Sequence, residues 1–206
     1  GLYFVPEYHN PTTHSLTDEE RACIGKIAKK LDLIILEDAI NRMLRNTAQR
    51  PLFAYAPERT IHIFSVSKFL CPGLRMAYIS TPFSFKAALN TALYNMNLMV
   101  SPLNAEIVNR IFNAGILDKI IEEKQIELRK RNSLVNQLLG DYELYGEDTC
   151  SFRWLMLPPQ WKNGMEFEEY AKSMGLQVFC AEKFSVGNVI SPKAIRICVS
   201  APPTIE

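Results

Sequence analysis

The sequence predicts an α/β fold: a mostly parallel sheet with helices, followed by a smaller α+β layer. Three patterns predict it. From Leu2 to Ile79, apolar runs of strand length alternate with helical periodicity, the grammar of strand–helix–strand units. One run, Leu33-Ile34-Ile35-Leu36, is unbroken, which fits a parallel strand buried on both faces. Beyond Gly140 the runs become short strands with one helical segment among them, a different layer pattern. The boundary is set near Asn113 to Leu117, giving units of 1–115 and 116–206.

In chain order, Leu2 to Val5 reads as a strand, and Pro11 in the polar loop after it drives Asn10 out of the α region. Thr17 and Glu20 form a capping box. Ala22, Ile24, Ile27, Ala28 and Leu31 then recur at helical spacing. Ile61 to Phe64 and Met76 to Ile79 are further strands. Helices are expected over Phe83 to Asn97, Asn104 to Asn113 and Leu117 to Leu139. The sign-alternating run from Glu122 to Arg131 reads as a solvated helix face with weak ion pairs. Phe152 to Leu157, Gln177 to Cys180 and Ala194 to Val199 read as strands, with Met165 to Met174 as a helix. At the ends, Leu2 to Val5 starts a strand at once, and Thr204 is a helix cap with nothing after it. The expectation is a piece of a longer protein.

Bulk composition excludes several classes. Of 206 residues, 48% are hydrophobic and 22% charged, the balance of a folded globular chain. Lys and Arg number 23 against 22 Asp and Glu, a net charge of +1. Such a chain has no global attraction for nucleic acid or anionic membrane. No apolar run reaches the ~18 residues that span a bilayer. Five scattered cysteines and three histidines lack disulfide-framework or metal-ligand spacing, which suits a reducing cytoplasm and no metal.

The densest chemistry lies in Ser65-Val66-Ser67-Lys68-Phe69-Leu70-Cys71-Pro72-Gly73-Leu74-Arg75. Two hydroxyls and a guanidinium around one lysine suit a phosphorylated ligand beside an amine nucleophile. Asn10, Asp38 and Lys68 all fall after predicted strands, and open α/β sheets bind ligands at the carboxyl ends of strands.

These segments resemble the class I/II aminotransferases, the fold-type I enzymes that use pyridoxal 5'-phosphate. The likeness rests on Val5-Pro6 leading to His9-Asn10-Pro11-Thr12, on Glu37-Asp38, on Ser65-x-Ser67-Lys68 leading to Pro72-Gly73-Leu74-Arg75, and on Ile195-Arg196-Ile197. It runs from Tyr3 to Ser200. Ala56-Pro57-Glu58-Arg59-Thr60, Met99 to Glu106 and Arg129 to Asn132 look closest to the aminotransferase-like half of MocR-type regulators of the GntR group.

The resemblance implies a fold-type I large domain followed by a small C-terminal domain. It implies that Lys68 forms the Schiff base with the cofactor aldehyde and then shuttles the substrate proton, a role that suits an amine buried near other cations. Asp38 would pair with the pyridine nitrogen, Asn10 with the phenolate oxygen, and Ser65, Ser67 and Arg75 with the phosphate. Arg196 would clamp the substrate α-carboxylate. A homodimer is implied, as is a ring-stacking aromatic ahead of Gly1.

Two departures stand out. The family commonly has Asn-Pro-Thr-Gly, and Thr13 takes the glycine's place, which should alter the turn. The tyrosine expected two or three residues after Asp38 is replaced by Ile40 and Asn41. Two functions share these residues: an α-amino acid aminotransferase, and the effector-sensing domain of a transcriptional regulator. The regulator would touch DNA only through a winged-helix domain outside this chain.

Overall fold

The structure, a computed structural model, describes residues 1–46 and 49–201; the cap read at Thr204 lies outside them. Two compact units form, Gly1–Glu7 with Ser15–Lys124 and Tyr8–His14 with Gln125 onwards.

The first unit contains β1 (Leu2–Phe4), α1 (Asp18–Lys30), β2 (Ile35–Asp38), β3 (Thr60–Ser65), β4 (Ala77–Ser80), α2 (Phe83–Asn97), α3 (Pro102–Asn113) and the start of α4 (Leu117–Leu139). Its sheet runs β1-β2-β3-β4. The first three strands are parallel and β4 is antiparallel, so the expected mostly parallel α/β sheet forms.

Helix α1 starts at the expected capping box: Thr17 Oγ1 accepts the Glu20 N–H at 3.2 Å and Glu20 Oε2 accepts the Thr17 N–H at 2.8 Å. Its buried face differs from the apolar pattern. Arg21, Gly25 and Ala28 are buried, while Ile27 is 43% exposed and Leu31 59%. Gly25 leaves room for the Tyr55 side chain, which a Cβ there would meet at 3.0 Å. Arg21 is buried because its charge is matched. It donates to Glu7 Oε1 at 2.9 Å and to the Pro6, Leu16 and Arg50 carbonyls at 3.1–3.2 Å.

Strand β2 begins two residues later than the apolar run, because the Leu33 N–H still bonds the Ala28 carbonyl behind α1. Nor is it buried on both faces. Paired residues share a face and neighbours alternate. The register Phe4↔Glu37↔His62 puts these three on one face, and Tyr3↔Leu36, with Asp38↔Ile63, on the other. On the first face Ile35 joins Ala28, Leu52 and Ala56 in a core flanked by Phe4, Leu16, Ile24 and Leu33. On the second, Tyr3 is 61% exposed and Leu36 37%. Parallel pairing was readable from the run; cover on both sides was not.

Glu37, with no solvent exposure, holds the covered face together. Oε1 accepts the Leu52 N–H at 2.7 Å; Oε2 accepts the Phe53 N–H at 2.9 Å and His62 Nδ1–H at 2.8 Å. Burial alone would raise this carboxyl. The His62 hydrogen bond, the Phe53 N–H, the imidazole's field and the Leu52 N–H outweigh it and hold it below the ordinary 4.5.

The second unit contains β5 (Leu144–Tyr145), β6 (Phe152–Met156), α5 (Gly164–Ser173), β7 (Phe179–Cys180) and β8 (Ala194–Cys198). The sheet is antiparallel, in the order β5-β6-β8-β7. Leu155, Leu157, Ala171, Val178 and Ile195 form its core. Strand β5 was not foreseen, since two residues carry no period. Within this unit, buried Asn132 on α4 donates to the Leu128, Asp148 and Cys150 carbonyls at 2.8–3.0 Å. Those bonds belong with the C-terminal sheet, and the second compact unit takes up α4 from Gln125 and includes Tyr8–His14.

Glu37→Gln should cost about 2 kcal/mol at neutral pH by urea unfolding, because one buried acceptor is replaced by a donor facing donors. A depressed folded pKa stabilises fully above 4.5, and the contribution is lost as pH falls through the folded value. The gap between wild type and Glu37→Gln should therefore narrow in acid.

Candidate functional site

In the first unit, Asp38 and Ser65 come onto the open face of the sheet. Asp38 pairs with Ile63, and Ser65 lies two residues further along β3 on the same face. One strand spacing across and two residues along separate their Cα atoms by about 8 Å. Asp38 Oδ1 accepts the Ile40 N–H at 3.2 Å and Oδ2 accepts the Tyr3 hydroxyl at 2.7 Å. Tyr3's phenol is pushed up to about 12, by desolvation first and then by the Asp38 hydrogen bond and charge.

After β3 the chain turns through 66–70. Ser65 Oγ lies 3.1 Å from Ser67 Oγ and 3.3 Å from the Met76 carbonyl, and accepts the Ser67 N–H at 3.3 Å. Two hydroxyls thus converge at the carboxyl end of β3. Arg75 is exposed in the left-handed region at φ 49°, and its guanidinium donates to the Pro72 carbonyl at 3.5 Å. Asn104 of α3 secures this loop, donating to the Leu74 carbonyl at 3.0 Å.

Lys68 corrects an expectation. Its side chain is exposed rather than buried. The half-buried amine nearby is Lys124 of α4, held below its ordinary value by burial and by the Lys68 charge, with Cys71 acting in the opposite sense.

Asn10 and Arg196 come together in the second unit: Arg196 Nη1 donates to Asn10 Oδ1 at 2.7 Å. The register Phe179↔Arg196 on β7 and β8 puts an aromatic directly opposite the arginine. The guanidinium carbon lies 4.8 Å from the Phe179 ring centre, 5.2 Å from that of Phe184 and 5.7 Å from that of Phe152, within cation–π range. Among the described residues its Nε is buried without a hydrogen-bond partner. The guanidinium thus sits in an aromatic frame with a spare buried donor.

The Asn10 loop is anchored by Tyr8, whose hydroxyl lies 2.6 Å from Thr149 Oγ1. Tyr8 (φ 50°) and Thr13 (φ 63°) are left-handed. For β-branched Thr13 that conformation is a genuine outlier, and such strain collects at functional loops. The Asn10–Pro11 peptide is cis.

Tyr3, Lys124 and the three phenylalanines escaped the sequence reading. Phe152 and Phe179 were visible as strand residues, but only the register shows that they frame a cation.

Comparison with known proteins agrees with this fold. The chain superimposes on a kynurenine aminotransferase from Pyrococcus horikoshii, solved with PMP, at a TM-score of 0.88 and 20% identity, over 98% of this chain and 52% of that one. At that identity the likeness fixes the fold alone. The aminotransferase class I and II family matches residues 3–206, and the chain belongs to that family. An uncharacterized HTH-type transcriptional regulator of Bacillus subtilis (strain 168), YdeF, is 43% identical over 206 residues, 100% of this chain and 44% of that protein. Aromatic-amino-acid aminotransferase 1 of Thermococcus litoralis is 30% identical over 132 residues, 63% of this chain and 31% of that enzyme. The chain thus spans less than half the length of these curated relatives. Among the described residues no helix is long and apolar enough to cross a membrane.

Thr13→Gly should stabilise the protein by about 1 kcal/mol, since glycine carries no left-handed penalty. Denaturant unfolding of the pair measures this.

Proposed function

We propose that this chain is the lysine-bearing and carboxylate-binding part of a pyridoxal 5'-phosphate-dependent aminotransferase acting on an α-amino acid. The large-domain part is 1–115 and the small domain 116–206. The observation that carries the reading is the open sheet face, where a carboxylate and two hydroxyls stand about one ring and one phosphate arm apart.

The donor set fits the cofactor. Ser65 and Ser67 hydroxyls and the Arg75 guanidinium suit a phosphate, and Asp38 suits a protonated ring nitrogen. Bound there, pyridoxal phosphate supplies an aldehyde for an amine and a ring that accepts electrons. Asp38 would keep a proton on the ring nitrogen. Lys68 would be the attachment amine and the base for the substrate Cα proton. Asn10, whose Oδ1 accepts from Arg196, would use its amide N–H for the phenolate oxygen. Arg196 would orient the substrate carboxylate with its remaining donors, with the three phenylalanines shielding that contact from water.

A second reading has its own support: the greater identity, over the whole chain, is to a transcriptional regulator. On that reading the same site binds an amino-acid effector, and DNA binding belongs to a domain outside this chain. Either protein would work as a homodimer in the cytoplasm, where its five free cysteines stay reduced.

With full-length protein and added cofactor, borohydride should trap the cofactor on Lys68, and Lys68→Ala should abolish the reducible visible band. A band that persists in Lys68→Ala sinks the assignment. Arg196→Met should weaken amino-acid binding about ten- to a hundredfold, the worth of a charged hydrogen bond, as read from spectral titration. Ketoacid released from any of a panel of amino acids marks the enzyme. Amino-acid binding without ketoacid marks the sensor.

A further inference from the structure

We propose that Tyr3 is a positioning residue that fixes the Asp38 carboxylate through a phenol hydrogen bond from the neighbouring strand. The inference rests on the reading that Asp38 faces the cofactor's ring nitrogen.

Three observations converge. Tyr3 pairs with Leu36, so its side chain emerges on the open face, one alternation behind Asp38. Its hydroxyl reaches Asp38 Oδ2 at 2.7 Å, while the Ile40 N–H takes Oδ1 at 3.2 Å. Each carboxylate oxygen is therefore pinned by one donor, one from β1 and one from the turn after β2. A carboxylate so held cannot rotate about its own axis without breaking both bonds. Ionised, it offers about four lone-pair sites, so acceptor capacity remains for a ring N–H. The phenol missing after Asp38 would have acted on the cofactor's phenolate oxygen. Tyr3 acts at the opposite end of the ring, on the carboxylate.

Its second effect is electrostatic. A phenol donor stabilises the charged carboxylate and draws off part of its negative field. Without Tyr3 the full charge would face the ring nitrogen and hold its proton more tightly. Electron density would be drawn from the end where Lys68 is attached, and the Lys68 nitrogen would release its proton at lower pH.

Two measurements on the full-length protein separate this role from the parent reading. In cofactor-free protein with 13Cζ-labelled tyrosine, the Tyr3 resonance, assigned by its loss in Tyr3→Phe, should stay protonated at pH 10, where a free tyrosine is half ionised. In Asp38→Asn its midpoint should fall towards that value. A Tyr3 that titrates alike with and without Asp38 overturns the contact. With cofactor, Tyr3→Phe should keep the borohydride-reducible attachment at Lys68 but move the visible band's pH midpoint down by about one unit; Tyr94→Phe, an exposed tyrosine on α2, should leave it in place. An unmoved midpoint in Tyr3→Phe overturns the positioning role while the attachment stands. No reducible attachment in the wild type overturns the parent reading and this role with it, whereas the cofactor-free titration judges the contact by itself.

Discussion

Glu37 and Asp38 are adjacent carboxylates with opposite fates, and the rule that separates them is the two-residue alternation of a strand. Glu37 points into the covered face, where two backbone N–H groups and an imidazole satisfy both its oxygens. Once that residue is committed inward, Asp38 has no choice but the other face. A buried, fully paired carboxylate is costly to dislodge, so Glu37 also fixes the register. A slip by one residue would exchange the two side chains, placing an unmatched charge in the core and exposing the other acid.

That rule explains what could be read from the residues and what could not. The capping box at Thr17, the helices over Phe83–Asn97 and Leu117–Leu139, and the strands around Lys68 carry local signals, and the structure has them where they were expected. The proposed site positions stand out in the sequence because their residue types are unusual at strand ends. Partnerships across the sheet were not, because register and cover depend on what packs against a strand. Leu36 looks in sequence like any buried leucine. Arg21 looks like a solvated charge, yet it is fully buried, because its acceptors come from segments far apart along the chain.

The arginine of the second unit shows another balance. Three phenylalanine rings offer the Arg196 guanidinium attractive π-faces but no strong hydrogen-bond acceptors, and among the described residues Asn10 supplies the acceptor. A cation in such a frame is only partly compensated, and on the proposed function an incoming carboxylate would complete it. On that proposal the cost of an unpaired donor, borne by the folded protein, would be recovered on binding, which is how preorganised sites gain affinity.

Among the described residues strand β4 sits at a border of its sheet and pairs with β3 alone, and all four of its residues, Ala77-Tyr78-Ile79-Ser80, are exposed. None is charged and none is proline, the usual guards of such a border. Its outer main-chain N–H and C=O groups form a template on which another extended segment can add through hydrogen bonds alone. In a chain that spans less than half the length of its curated relatives, this border is where a further strand of the same sheet can add.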